Sequence, residues 1–208
     1  MERDEYLQNA RFPDGDNGKE VLDGMRESHT AVTGWTLDLM QPAADDTILD
    51  IGCGGGRALK RLSPLVPNGK LYGVDYSETA VECTREENSA DVESGKLTVL
   101  HGSVSDLPFA DETFDKIFSI ESYYFWPDLA NDLKEIRRVL KPGGKVFITA
   151  DIHHRDDLPE KVEYYVRLLN MTNLTFQQFH DALTAAGFTN VTVHGKDGEE
   201  WMCGEGTR

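Results

Sequence analysis

The sequence predicts an α/β fold: one domain with an open, mostly parallel sheet, helices on both faces and an antiparallel C-terminal hairpin strand. Three observations support this prediction. From Thr47 onward, short apolar segments alternate with helical segments, a pattern typical of parallel strands joined by right-handed crossovers. A glycine-rich turn at Gly52–Gly56 follows the first apolar segment. Near the end, "TNVTVHG" and "EEWMCGEG" flank a "KDGE" turn, which indicates a β-hairpin.

The elements follow one another in a regular order along the chain. Five strands are predicted, in "TILDIG", "GKLYGVDYS", "KLTVLHGS", "TFDKIFSIES" and "KVFITADI". Helices are predicted in "RALKRLSPLV" and in "SETAVECTREENSADVESG", which has Ser77 as its N-cap. A third, "LANDLKEIRRVLKPGG", ends at a Lys-Pro-Gly-Gly turn that reverses the chain. The last, "LTFQQFHDALTAAGF", begins with a Thr175/Gln178 capping box.

The N-terminal part of the chain differs in pattern from the rest. Residues 1–46 predict a helical cap segment, and residues 47–208 predict the ligand-binding core. Apolar residues between Lys19 and Met40 favour helix, while Gly24 and Gly34 indicate two shorter helices instead of one.

Composition narrows the class of protein. The chain has 208 residues, of which 39% are hydrophobic, enough for one domain with a buried core. Its formal net charge of −16 repels polyanions and argues against a nucleic-acid partner. The three cysteines are widely spaced, so neither a zinc site nor a disulfide framework is indicated. No signal sequence and no run of roughly 20 apolar residues is evident. We therefore expect a soluble cytoplasmic protein, monomer or homodimer, without a membrane partner and with a small-molecule substrate.

Three kinds of ligand are considered for the glycine-rich turn "DIGCGGGR". A phosphate-binding P-loop requires GxxxxGK[ST], and no lysine-hydroxyl pair follows these glycines. A dinucleotide fingerprint requires GxGxxG, but Arg57 occupies the third glycine position counted from Gly52. Asp50 precedes the turn, where a carboxylate repels a pyrophosphate but suits an amino group or a sulfonium cation. The pattern therefore favours a cationic ligand that lies close to the glycine backbone.

Several segments together resemble the class I S-adenosylmethionine (SAM) dependent methyltransferases. Asp50-x-Gly52-x-Gly54-x-Gly56 resembles motif I of that family, and "HGSVSDLPF" resembles its Gly-Asp-x-x-x-Leu-Pro-Phe segment. "FDKIFSI" and "LKEIRRVLKPGGKVFI" are similar to its fourth-strand and fifth-strand signatures. The resemblance covers about Thr47 to Gly204. It is closest to small stand-alone enzymes of methyltransferase type 11, such as those that methylate quinone precursors.

The resemblance implies a Rossmann-like fold, SAM as cofactor with S-adenosylhomocysteine as product, and in-line transfer of the sulfonium methyl group to a small-molecule acceptor. It implies that Asp75, at the end of the second strand, accepts hydrogen bonds from the ribose hydroxyls, and that Tyr76 lies against adenine. Ser103 replaces a family aspartate, so its hydroxyl or the Val104 amide is expected to contact the adenine amino group. The expected cofactor residues are Asp50, Gly52, Cys53, Gly54, Asp75, Tyr76, Ser103, Val104, Ile120 and Glu121.

The acceptor side is predicted from "SIESYYFWPD" and from the N-terminal segment. Family members that methylate amides of bases or glutamine often carry Asn/Asp-Pro-Pro-Tyr/Phe here, and this chain lacks those prolines. Its aromatic side chains could form an apolar pocket or stabilise a sulfonium. The histidines could accept a proton or lie at the surface as capping residues. The expected pocket residues are Tyr6, His29, Trp35, Tyr124, Trp126 and His153, and no catalytic residue or metal ligand is assigned.

Two other functions remain open from the sequence. One is a SAM-binding protein without transferase activity, such as a sensor or a partner subunit. The aromatic "YYFW" stretch favours an enzyme over this alternative. The other is an NAD-dependent oxidoreductase, against which Asp50 and Arg57 both argue.

Overall fold

The computed structural model describes residues 2–208, apart from the side chains of residues 26–28. It contains a seven-stranded sheet. Its strands are β1 (Thr47–Ile51), β2 (Lys70–Asp75), β3 (Leu97–His101), β4 (Phe114–Ile120), β5 (Leu140–Ala150), β6 (Thr189–Gly195) and β7 (Met202–Thr207). The strand order is β3-β2-β1-β4-β5-β7-β6. Neighbouring strands pair in parallel from β3 to β5, while β7 pairs antiparallel with β5 and β6. This architecture confirms the predicted fold class.

Helices surround this sheet. They are α1 (Arg3–Arg11), α2 (Gly15–Ser28), α3 (Thr30–Met40), α4 (Arg57–Leu62), α5 (Glu78–Glu87), α6 (Ser89–Glu93), α7 (Leu129–Val139), α8 (Glu160–Leu168) and α9 (Phe176–Ala185). Among the described residues, no helix combines the length and the apolarity that crossing a membrane requires.

Two apolar cores lie on opposite faces of the sheet. Val146 of β5 belongs to one core and its neighbour Phe147 to the other, because successive side chains of a strand point to opposite faces. Leu133 of α7 packs in the first core, and Leu37 of α3 packs in the second. Both faces of the central strands are therefore covered, which explains why their sequences are almost continuously apolar.

The predicted caps and the divided N-terminal helix are present. Ser77 accepts a hydrogen bond from the Ala80 amide at 3.1 Å, and Thr175 forms the expected capping box with Gln178. α2 and α3 replace a single long helix. α3 also packs on the sheet, where the Thr36 hydroxyl donates to Thr149 Oγ1 at 2.9 Å. The boundary between a cap at 1–46 and a core at 47–208 thus stays a prediction, and Met1 lies outside the described residues.

Other boundaries differ from the prediction. The helix expected after Ser77 is divided into α5 and α6 at Asn88, whose side-chain amide donates to the carbonyls of Gly56 and Thr84 at 3.0 and 2.9 Å. The Lys-Pro-Gly-Gly segment belongs to β5, which begins at Leu140 and shifts its register against β4. Helices α1 and α8 were not predicted. In α1 the buried side chain is that of Leu7, and α8 contains no buried residue, so these two helices contribute little to the apolar cores.

Gly56 provides a test of how tightly the glycine-rich turn packs against α5. It lies at φ +77°, and a Cβ there would be 2.6 Å from Asn88 Nδ2 and 2.9 Å from Thr84 Cα. Gly143 has a similar φ of +79° with open space around it. We expect Gly143→Ala to lower the free energy of unfolding by about 1–2 kcal/mol, the cost of a left-handed residue with a Cβ. Gly56→Ala should cost clearly more, because α5 must also move.

Chemical denaturation of the two variants and the native chain measures this difference. Equal losses for the two variants would contradict the steric constraint at Gly56, since their backbone conformations are matched.

Candidate active site

A cavity of about 860 Å³ lies at the carboxyl ends of β1, β2 and β4. The strand order reverses between β1 and β4, which is where open α/β sheets bind ligands. Its volume is typical of sites for small molecules and cofactors. Helices add to its wall through Tyr6, Leu7 and Ala10 of α1, Leu22 and Met25 of α2, Thr30 and Thr33 of α3, and Tyr165 of α8.

The glycine-rich turn forms one side of this cavity and packs closely on its neighbours. The amides of Gly52 and Cys53 both donate to the Val74 carbonyl, at 2.8 and 3.2 Å. Gly52 has φ +76°, and a Cβ there would lie 2.6 Å from the Ser122 side chain. A larger residue would therefore displace the segment after β4, so glycine is required for the turn to meet both neighbouring strands.

Asp75, at the end of β2, connects this turn to the start of α5. Its Oδ2 accepts a hydrogen bond from the Gly54 amide at 2.9 Å, and its Oδ1 accepts one from the Ser77 amide at 3.0 Å. Burial raises the pKa of the Asp75 carboxyl, while these amides act in the opposite direction. Each oxygen can accept a further hydrogen bond, so the carboxylate can serve a ligand in the cavity.

Asp50 is the second acid on this wall and is 2% exposed. Burial and the nearby Asp75 carboxylate raise the pKa of Asp50 well above its usual value. Burial, followed by the charges of Asp75 and Asp50, raises the pKa of the neighbouring Cys53 thiol. The thiol is therefore held in its neutral form, which opposes a nucleophilic role. A cationic ligand would reverse the electrostatic cost of ionising both aspartates.

The Tyr76 side chain, which is expected to lie against adenine, is 45% exposed. The Tyr76 ring packs on Phe12 with ring centroids 4.7 Å apart, and its hydroxyl donates to the Arg11 carbonyl at 3.4 Å. Ser103 Oγ accepts a hydrogen bond from the Ser105 amide at 3.2 Å, so this hydroxyl already stabilises its own loop.

Another pair of acids lies where β4 and β5 end. Glu121 Oε1 accepts a hydrogen bond from the Asp151 amide at 2.6 Å. The Tyr124 hydroxyl lies 3.0 Å from Glu121 Oε2 and 3.3 Å from Asp151 Oδ1. Burial, followed by the Asp151 charge, raises the pKa of Glu121 well above its usual value. All three side chains line the cavity.

The positions of the sequence-predicted residues can now be compared with the cavity. Every residue expected to contact the cofactor lies on its wall, and their binding of a ligand stays a prediction. The expected acceptor residues divide into two groups. Tyr6, His29, Tyr124 and Trp126 line the cavity, whereas Trp35 and His153 do not.

Trp35 and His153 point to other parts of the molecule. The Trp35 ring packs on Trp201, with centroids 5.9 Å apart, and contacts the second core. His153 Nδ1 lies 2.9 Å from the Glu200 carbonyl oxygen, and its ring contacts Phe176 edge-on at 5.0 Å. Contacts with the C-terminal half of the chain therefore hold both side chains away from the cavity.

Sequence reasoning missed several cavity residues. Asp151 had an available signal, because an acid directly after a parallel strand lies at the ligand-binding edge. Arg11 and Tyr165 had none, since they belong to α1 and α8, which were not predicted. Six further missed residues share apolar side chains: Leu7, Leu22, Met25, Ile152, Leu169 and Met171.

Comparison with known sequences identifies the family. The sequence model of a family described as a methyltransferase domain matches residues 49–148 of this chain. The uncharacterized methyltransferase YdaC of Bacillus subtilis (strain 168) is 27% identical over 173 residues, which cover 83% of this chain and 88% of that protein. The putative methyltransferase YrhH of the same organism is 32% identical over 133 residues, 64% of this chain and 71% of the relative.

Solved structures share the fold. The putative methyltransferase of Haloferax volcanii, in complex with the Trm112 methyltransferase activator, has a TM-score of 0.79 at 23% identity, covering 100% of this chain and 99% of that chain. Haemonchus contortus phosphoethanolamine N-methyltransferase 2, in complex with S-adenosyl-L-methionine, has a TM-score of 0.75 at 18% identity, covering 86% of this chain and 52% of that chain. At these identities the likeness shows the fold alone.

The relatives are named as methyltransferases, and the site in this chain combines an acid-lined cavity with a glycine-rich turn at the sheet edge. The chain therefore belongs to the SAM-dependent methyltransferases, a family of enzymes whose cofactor is S-adenosylmethionine.

Proposed function

We propose that this methyltransferase modifies a small-molecule acceptor that binds inside the cavity. The observation that supports this most directly is that one cavity of about 860 Å³ carries both the glycine-rich turn and an aromatic wall. The wall is formed by Tyr124, Phe125 and Trp126, and apolar walls with a few polar groups are typical of small-molecule sites. The formal net charge of −16 also disfavours a polyanionic substrate.

The residues around the turn suit SAM. Asp50 and Asp75 can receive the cationic and hydrogen-bond-donating groups of such a ligand, and burial raises the pKa of both carboxyls. Gly52 and Gly54 allow a ligand to approach the backbone closely. We propose that these residues hold the cofactor together with Cys53, Tyr76, Ser103, Val104, Ile120 and Glu121. When bound, SAM supplies a methyl group that the positively charged sulfur already activates.

The protein's part in the reaction is then to orient the acceptor and exclude water. Leu7 and Leu22 supply apolar surface from α1 and α2 to the cavity wall. The His29 side chain lies on the same wall, and burial lowers the pKa of its imidazole in spite of the nearby Asp151 charge. A neutral imidazole can accept a proton at a ring nitrogen, so His29 is our candidate for a proton acceptor.

A transfer assay with radiolabelled SAM and metabolite pools tests the small-molecule acceptor. Family membership argues against the oxidoreductase and favours transfer over simple SAM binding. We expect the label to appear in low-molecular-weight products that mass spectrometry can identify. Label that appears instead in protein or RNA from the same extract would contradict the proposal.

A protein partner is a second proposal. The Haloferax volcanii neighbour was solved with the Trm112 methyltransferase activator, and its likeness extends over the whole length of this chain. We propose that this chain also binds a Trm112 protein. Size-exclusion chromatography of the two proteins, separately and mixed, measures this: co-elution supports the proposal, and separate elution at micromolar concentrations contradicts it.

Replacing Asp75 tests the proposed ribose contact. We expect Asp75→Ala to weaken binding of S-adenosylhomocysteine by about 1–3 kcal/mol, roughly fivefold to 150-fold in Kd, because the ribose hydroxyls would lose their charged acceptor. Calorimetric titration measures the affinity. Asp197→Ala, at an exposed turn far from the cavity, is the matched control and should leave the affinity unchanged. Unchanged affinity in Asp75→Ala would refute the assignment.

The raised pKa of Asp50 predicts a pH-dependent affinity. Burial favours the protonated carboxyl, whereas a bound cation favours the carboxylate, so binding should release protons and strengthen as pH rises towards neutrality. Calorimetry of S-adenosylhomocysteine binding in buffers with different ionisation enthalpies measures the released protons. Asp50→Asn should release fewer protons, and a native affinity that does not vary with pH would contradict this role.

The same shift predicts the effect of Asp50 on stability. A carboxyl with a raised pKa stabilises the fold most at pH values below the unfolded pKa of about 3.9 and loses that contribution as pH rises through the folded pKa. At neutral pH, ligand-free Asp50→Asn should therefore unfold at a higher temperature than the native chain. A lower unfolding temperature would show that the carboxylate is not electrostatically unfavourable.

A further inference from the structure

The acceptor half of the cavity has a distinctive polar group at its apolar wall. Glu121 follows β4, Asp151 follows β5, and Tyr124 lies in the short 3₁₀ turn after β4. Phe125, Trp126, Ile152 and Met171 supply the apolar surface around them. The proposed function places the acceptor in this cavity, so the chemistry of this wall bears on which groups the acceptor carries.

The Tyr124 hydroxyl is one donor shared between two acids, and contact with the Asp151 side chain adds to the raised pKa of Glu121. Its hydroxyl oxygen accepts from the amides of Asp151 and Ile152, at 3.1 and 3.3 Å. Burial raises the pKa of Tyr124 well above its usual value, so the hydroxyl keeps its proton. That single proton serves either Glu121 Oε2 or Asp151 Oδ1. One of the two carboxyl groups therefore always lacks this donor.

The arginines and the lysine on the cavity wall have other partners, whereas the His29 imidazole lies near the Asp151 charge. Lys60 Nζ donates to the Glu87 carbonyl at 2.7 Å. Arg57 pairs with Glu87 at 3.6 Å, and Arg11 Nη1 donates to the Leu169 carbonyl at 3.2 Å. Arg61 donates to the Thr30 carbonyl. Among the residues whose side chains are described, no ion pair involves Glu121 or Asp151.

Asp50 is a second, separate acid on the same cavity wall. Asp50 is 2% exposed, and no described residue donates a hydrogen bond to its carboxylate or is among the causes that would lower its pKa. An isolated buried carboxyl is costly to ionise unless a ligand provides a donor or a positive charge. The cavity as a whole is therefore built for ligands that bring positive charge.

We propose, building on the proposed small-molecule methylation, that the acceptor carries an amine, whose N–H groups donate to Glu121 and Asp151 while its apolar body lies against Phe125, Trp126 and Met171. An ammonium group supplies the donors that Tyr124 cannot provide to both acids and carries the opposite charge. The wall thereby discriminates against acceptors with a carboxylate, which would bring negative charge next to these acids.

A divalent cation is a less suitable occupant of this wall. Magnesium and calcium require six or more oxygen ligands in a regular shell. Within the described part of the chain, no group of three or more His, Cys, Asp or Glu residues is arranged to hold a metal ion. The Glu121 and Tyr124 oxygens are also already engaged with backbone amides and with each other.

The test uses ligands that share one body and differ in one polar group. Benzylamine, benzyl alcohol and benzoate form an aromatic set, and hexylamine, hexanol and hexanoate form an aliphatic set. Binding of each is measured by calorimetry or ligand-observed NMR on the full chain saturated with S-adenosylhomocysteine. We expect the amine of at least one set to bind about tenfold tighter or more than its alcohol and its carboxylate.

Asp151→Asn and Glu121→Gln keep the shape of each side chain and remove its charge. Each should reduce amine binding by about tenfold and leave alcohol binding unchanged. Asp151→Asn, which is outside the proposed cofactor residues, should also leave the Kd of S-adenosylhomocysteine unchanged. Asp197→Asn makes the same chemical change at an exposed turn and should alter none of these values. Unchanged unfolding temperatures show that both variants fold.

The outcomes separate this inference from the proposed function. Equal binding of amine and alcohol, preference for the carboxylate, no binding of any amine, or an amine preference that survives both substitutions would each overturn the amine assignment. Those results leave methylation of another small molecule intact. Failure of the native chain to bind S-adenosylhomocysteine would instead contradict the assignment of the cofactor site itself.

Discussion

The site depends first on the two amide hydrogen bonds to the Asp75 carboxylate, from Gly54 at 2.9 Å and Ser77 at 3.0 Å. One buried anion thereby fixes the turn after β1 relative to the start of α5. Gly52 extends the arrangement to β4, because its missing side chain leaves the space that Ser122 occupies. The ends of three neighbouring strands thus meet through the Asp75 carboxylate, the backbone of the glycine-rich turn and the small Ser122 side chain.

A row of acids along this edge has a shared electrostatic consequence. Asp75 adds to the raised pKa of Asp50, and Asp151 adds to the raised pKa of Glu121, with burial the larger cause in both cases. Ionising these groups without a partner destabilises the folded chain, and a cationic ligand offsets that cost. Ligand binding and the local stability of the sheet edge are therefore coupled, and the coupling favours cations over anions throughout the cavity.

The parts of the fold that the sequence predicts well have local signals. β1 is an apolar run, the turn after it contains glycines in the left-handed conformation, and β2 ends at an acid. Residues of all three segments line the cavity, as expected. The cover of the cavity has no such signal. α1 and α8 are polar helices held by contacts between distant segments, such as the Tyr164 hydroxyl with Asp4 at 2.7 Å and Arg3 over the Tyr164 ring. Pairings of this kind arise from the tertiary structure, so neither segment alone shows which distant residues it contacts.

Trp35 shows that the side of a helix to which a residue points decides whether it reaches a cavity, whatever the residue type. His29, Thr30 and Thr33 line the cavity, and residues three or four apart share one face of a helix. Trp35 follows Thr33 by two positions, so its side chain points to nearly the opposite side of α3, where Trp201 packs against it. Once Thr33 is placed on the cavity, helix geometry excludes Trp35 from it. A large aromatic residue near a site therefore indicates a ligand contact only when its helical phase agrees with residues already known to face that site.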